Sequence, residues 1–203
     1  MTTPPTMRPE DQPSPPPTLK QASATYDPRG AQLGRPLYRP RFFMMTSLGF
    51  GHLRPFPGTW GSLPPLGIAA VLVLVGAGPT ESPWVFNGVC LLMVLVWSLV
   101  CVLQGERAEA YWRTKDPSSV TADEAAGMAL ALIALPLEWG AGFWSIAAWL
   151  IGAFVLFRLF DIVKPWPIEP LQRIPGGLGI LLDDLAAGAA TLIVLQLWAA
   201  TMS

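Results

Sequence analysis

Seven charged side chains stand out in this 203-residue chain, because they fall in three short clusters beside long apolar runs. The stretch LFRLFDIVKPWP, Leu156 to Pro167, spaces Arg158, Asp161 and Lys164 three residues apart. On an α-helix such steps keep all three within an arc of about 120°, and Pro165 ends the helix near Lys164. One reading is an intrahelical ion-pair string; the other is a working face, since charge at the edge of a membrane helix is costly unless it is used or paired. The second cluster is Asp123-Glu124 and the third Asp183-Asp184, each directly before an apolar segment. Carboxylates there also serve as helix caps and complement the macrodipole. Brought together, the five acids Asp123, Glu124, Asp161, Asp183 and Asp184 would repel unless a cation neutralised them. An oxygen-only ligand set selects a hard divalent ion, with Mg²⁺ the first choice. Two glycine-rich stretches add anion chemistry. PGTWGS offers the Thr59 and Ser62 hydroxyls, with Ser62 also suited to cap a following helix, and PGGLG, Pro175 to Gly179, would let the amides of Gly176, Gly177 and Gly179 approach an anion. Neither stretch fits a P-loop or a dinucleotide fingerprint.

Whether these residues meet depends on the elements that carry them. The chain is 52% hydrophobic and only 13% charged, and the excess is concentrated. Val85 to Leu103 and Trp139 to Phe157 are each nineteen residues without a charge, and Leu185 to Met202 is eighteen. Each would reach about 27–29 Å as a helix, close to the thickness of a bilayer's hydrocarbon core. Leu63 to Gly78 and Ala125 to Leu137 are shorter and read as short, tilted or partly buried helices. The expected fold is therefore all-α, a polytopic membrane bundle of about four to five apolar helices forming a domain over residues 42–203. If the apolar segments form hairpins, the polar stretches Gly49 to Pro65, Gln104 to Glu124 and Phe157 to Asp184 share one side. Those stretches and their edges carry the cations from Arg41 onward, while the short breaks carry Glu81 and Glu138, so the positive-inside rule makes the long stretches cytoplasmic. The break from Pro136 to Gly142 matters, since one continuous helix from Ala125 to Phe157 would put Asp123 and Asp161 on opposite faces of the membrane.

Residues 1–41 hold ten of the 22 prolines and few large apolar residues, which predicts a disordered tail without a signal-peptide apolar region. A net charge of -1 and the lack of a basic stripe argue against nucleic acid as a partner. Cys90 and Cys101, eleven residues apart on one apolar segment, are beyond disulfide reach on a helix, and the single His52 reads as a solvent-facing loop residue.

PGTWGS (Pro57 to Ser62), DEAAG (Asp123 to Gly127), FRLFDIVKPWPI (Phe157 to Ile168) and LLDDLAAG (Leu181 to Gly188), in this order, resemble the phosphatidylglycerophosphatase A family. The resemblance implies a helical membrane enzyme that hydrolyses the terminal phosphomonoester of phosphatidylglycerophosphate with Mg²⁺, at the cytoplasmic face of the bacterial inner membrane, ahead of cardiolipin synthesis. It implies that Asp123, Glu124, Asp161, Asp183 and Asp184 supply the metal ligands and the base, that Arg158 and Lys164 neutralise the phosphoryl oxygens, and that Thr59, Ser62 and the amides of Gly176, Gly177 and Gly179 orient the phosphate. Other readings of the same residues are a phosphatase of another membrane lipid phosphate, a small transporter, or a scaffold whose acids only cap helices.

Overall fold

The structure, a computed structural model, describes residues 42–114, 117–137, 142–166, 168 and 177–202; the proline-rich tail and Gly176 lie outside the described residues. All regular structure among them is helical. A 3-10 turn at Phe50–His52 precedes α1 (Pro57–Gly61), α2 (Leu63–Leu74), α3 (Pro83–Trp112), α4 (Ala122–Ala131), α5 (Phe143–Val163) and α6 (Gly177–Met202). Four helical runs are long and apolar enough to cross a membrane: α1 with α2 as 18 residues, α3 as 30, α5 as 21 and α6 as 26. Helix α4, ten residues long, spans only about 15 Å.

Two boundaries differ from expectation. Helix α3 runs on past Leu103 to Trp112, because Gln104 to Trp112 is polar but rich in helix formers, and it stops at Arg113 in a left-handed conformation, φ 55°. Its end is held by a cluster of rings, with Phe42 5.4 Å from Tyr111 and 4.9 Å from Trp112 between centroids. Helix α6 begins at Gly177, so Asp183 and Asp184 lie in its second turn and do not precede it. The expected glycine loop is thus helix. Gly177 and Gly179 are buried, and a side chain at Gly177 would overlap the Cys101 carbonyl of α3. Close helix approach through small residues is how membrane helices gain packing energy when lipid supplies no hydrophobic drive between them.

Helix α4 sits at the centre. Eight of its ten residues are buried, mostly Ala and Gly, and it packs chiefly on α6 and α3. Gly127 lies against the Asp184 carbonyl and Gly188 against the Gly127 carbonyl, so neither position has room for a Cβ. The backbone at both ends of α4 needs polar partners, since lipid offers none. At the start, the Met45 carbonyl accepts from Thr121 N at 3.0 Å and Ala122 N at 3.1 Å, while Ser47 Oγ donates to Thr121 O at 2.7 Å. Just beyond the end, Ala134 N donates to Asn87 Oδ1 of α3 at 2.7 Å, and Gln196 Nε2 of α6 donates to Ala134 O. Because α4 stops at Ala131 and α5 starts at Phe143, Asp123 at the head of α4 and Asp161 near the tail of α5 fall at the same end of the bundle.

Candidate active site

Three elements deliver the acids. Asp123 and Glu124 open α4, Asp161 lies in the last turn of α5, and Asp183 and Asp184 lie in the second turn of α6. Asp123, Asp161, Asp183 and Asp184 are all buried. Within this group the structure draws a division that spacing did not reveal. One oxygen each from Asp123, Glu124 and Asp184 lies within 4.8 Å of the others, an oxygen-only triad. Asp161 and Asp183, also expected as metal ligands, fall outside that triad and pair with the cations. Asp161 Oδ2 is 2.6 Å from Arg158 Nη1, a close ion pair without the geometry of a straight hydrogen bond, and Asp161 Oδ1 is 3.8 Å from Lys164 Nζ. Lys164 Nζ donates to Asp183 Oδ2. The ion-pair string therefore exists, and through Lys164 and Asp183 it extends to a second helix.

The electrostatics follow from this crowding. Burial, helped by the charges of Asp184 and Asp161, pushes the Glu124 carboxyl up to about 8, against the opposing bond from Asp123 and the nearby Arg158 guanidinium. Glu124 Oε2 is also buried without a hydrogen-bond partner among the described residues. Burial works against the charged Lys164 ammonium, but its bond to Asp183 and the surrounding carboxylates outweigh this and hold its pKa above the ordinary lysine range. An orphaned carboxylate oxygen within an all-oxygen triad fits a hard divalent cation such as Mg²⁺. The residues that would hold it are Asp123, Glu124 and Asp184.

The PGTWGS segment forms α1 and its junction with α2, and it lies directly on this group. Gly58 abuts Glu124 Oε1, and a Cβ there would be 3.1 and 3.2 Å from the two terminal nitrogens of Arg158. Thr59 is half-buried in the same turn. Ser62 departs from expectation. It is fully buried and does not cap α2; its Oγ donates to Gly58 O at 2.9 Å, so its hydroxyl secures the turn. Gly177 and Gly179 form part of the α3–α6 contact, and at about 1.5 Å per residue Gly177 is roughly 9 Å along the helix from Asp183. His52 is exposed, as expected of a loop residue. Sequence reasoning passed over Gly58 and Gly127, whose importance lies in what they touch.

Four helical runs long and apolar enough to cross a membrane, with a carboxylate triad and a guanidinium and an ammonium beside it at one end, make this a helical membrane protein with a charged site. Residues 43–199 match the family described as Phosphatidylglycerophosphatase A. The chain belongs to that family and is a phosphatase. It is similar to Phosphatidylglycerophosphatase A of Haemophilus influenzae, 32% identical over 167 residues that cover 80% of this chain and 92% of that protein. The Escherichia coli protein of the same name is 32% identical over 149 residues, covering 71% of this chain and 76% of that one. A Bacteroides thetaiotaomicron protein named Putative phosphatidylinositol-3-phosphatase is also 32% identical, over 161 residues that cover 77% of this chain and 94% of that protein. No solved structure matches the chain.

Proposed function

We propose that the chain hydrolyses the terminal phosphomonoester of phosphatidylglycerophosphate to phosphatidylglycerol and inorganic phosphate, with Mg²⁺, on the cytoplasmic side of the bacterial inner membrane, ahead of cardiolipin synthesis. The observation that carries this reading is the triad of Asp123, Glu124 and Asp184 oxygens within 4.8 Å beside Arg158, in a chain of this family. Mg²⁺ bound there would supply charge neutralisation for the phosphoryl group. The chain's own residues do the rest. Arg158 and Lys164 orient the phosphoryl oxygens, and Asp161 and Asp183 hold those two cations in place. Water attacks phosphorus in line and gives its proton to a carboxylate of the cluster, and the P–O bond to glycerol breaks as that proton passes to the leaving oxygen. The exposed apolar flanks of α3 and α5 face the acyl region of the bilayer, which brings a lipid's headgroup to the helix ends where the acids lie. The cations along the three long polar stretches support the cytoplasmic assignment.

A second headgroup is favoured by one observation, the similarity to a protein named for phosphatidylinositol 3-phosphate. The test is phosphate release by purified chain from phosphatidylglycerophosphate, phosphatidylinositol 3-phosphate and phosphatidic acid, with Mg²⁺ or EDTA. A preference for phosphatidylglycerophosphate, abolished by EDTA, is expected. Equal rates on all three lipids would overturn the headgroup assignment, and activity in EDTA would overturn the metal assignment.

A further inference from the structure

The Pro57–Gly61 turn carries side-chain anchors in addition to its own backbone bonds. The Gly58 carbonyl accepts twice from Ser62, from its backbone N at 3.0 Å and from Oγ at 2.9 Å. The Trp60 indole N–H donates back to Pro55 O at 2.8 Å. Gly61 is packed on the Thr121 side chain at the head of α4, where a Cβ would overlap it. Together these anchors fix the turn that carries Gly58 in one place. That place is the gap between Glu124 Oε1 of α4 and the guanidinium of Arg158 on α5.

We propose that Gly58 is a positioning residue for the phosphatase reaction, and that Ser62 is the clip that keeps it seated. The absent side chain lets the turn touch Glu124 and Arg158 together. Glu124 is thereby confined to the triad, and Arg158 is kept on the Asp161 side. Ser62 acts through Gly58 and not on the substrate. The inference rests on the metal-dependent phosphatase reading above and assigns to the PGTWGS turn a role in geometry instead of phosphate contact.

The contact also predicts how a substitution behaves. A Cβ at Gly58 meets the far ends of two flexible side chains and no backbone, so Gly58→Ala can fold while displacing the groups that matter. Ser62→Ala is milder, because the backbone N of Ser62 still holds Gly58 O. The experiment compares the full chain with Gly58→Ala and Ser62→Ala in detergent. It measures Mg²⁺ affinity by titration calorimetry without substrate, kcat and KM on the lipid phosphate, and thermal unfolding in EDTA. Gly58→Ala should weaken Mg²⁺ binding about tenfold and lower kcat about 100-fold, the scale of a misplacement near 1 Å. Ser62→Ala should move both in the same direction by about fivefold, the scale of one hydrogen bond. Both should melt within about 4 °C of the parent in EDTA. Parental Mg²⁺ affinity in both variants, with kcat reduced only in step with the folded fraction, would mean a structural role and overturn the inference. Failure of the parent to release phosphate would sink the phosphatase reading instead, while calorimetry would still report the effect of Gly58 on the metal site.

Discussion

Replacing Asp184 with Asn separates a working carboxylate from a merely structural one, because the two roles predict opposite changes in stability. The substitution keeps the shape of the side chain and removes one charge from the triad. Asp184 has an oxygen within 4.8 Å of one on Asp123 and on Glu124, so at an effective dielectric of about 20 each fully ionised pair costs about 3.5 kcal/mol. The nearby cations offset part of the roughly 7 kcal/mol relieved, which leaves a net gain of about 2 kcal/mol as the conservative expectation. In EDTA at pH 9, above the value of about 8 for Glu124, Asp184→Asn should therefore melt about 4–8 °C higher than the parent. At pH 6, where Glu124 carries a proton, the gap should narrow. Saturating Mg²⁺ should raise the parent's midpoint and do little for the variant, whose activity should fall at least about 100-fold. If Asp184→Asn melted lower in EDTA, with its Mg²⁺ shift and activity intact, the acids would be structural and the catalytic reading of the cluster would be refuted.

Three further outcomes follow from the same geometry. Glu124 holds a proton below about pH 8 in the metal-free protein, so Mg²⁺ binding must release it; calorimetry in buffers of different ionisation enthalpy should find close to one proton released at pH 6.5 and almost none at pH 9.5, with affinity rising in between. Gly127→Ala should destabilise by about 1–3 kcal/mol in thermal unfolding, since a Cβ there would lie 2.5 Å from the Asp184 carbonyl and 2.7 Å from Phe157 Cε2, and a backbone carbonyl cannot step aside as a side chain can. His52→Cys should react with a membrane-impermeant maleimide in inverted but not in right-side-out vesicles if the site end is cytoplasmic, with Cys90 and Cys101 silent because both are 0% exposed.

How much could be read in advance depended on whether a feature carries a cost that shows in one residue. Arg158, Asp161 and Lys164 were conspicuous because charge is expensive in an apolar chain, and the acid pairs were conspicuous for the same reason. The break between α4 and α5 was legible from Pro136 and Gly142, and it is what allows Asp123 and Asp161 to share an end. The apolar runs marked α3, α5 and α6 but misjudged their ends. Gln104 to Trp112 has the composition of a loop and the propensity of a helix, while Gly177 and Gly179 have the propensity of a loop and are recruited into α6 by contact with α3. Gly58, Gly127 and Gly188 could not be ranked above other glycines, because their constraint is set by atoms on another helix.

On the proposed reading, the division of the charges lets one site serve both a metal and a phosphate. Arg158, Lys164, Asp161 and Asp183 form a ladder across α5 and α6 with two charges of each sign, so it is neutral as built and can be buried without a further ion. The triad has no such internal balance, and the upward shift of Glu124 is the protein's own partial remedy, a proton where a cation belongs. Had Asp161 and Asp183 joined the triad, Arg158 and Lys164 would have been left as unpaired, partly buried cations, at a cost. Pairing fixes their direction without exhausting them. The Arg158 Nε lies buried with no hydrogen-bond partner among the described residues, so the guanidinium retains donor capacity for an oxyanion while Asp161 holds its other edge. In the proposed reaction the regular spacing of Arg158, Asp161 and Lys164 thus serves the ion-pair string and the phosphate together, because the string is what aims the cations.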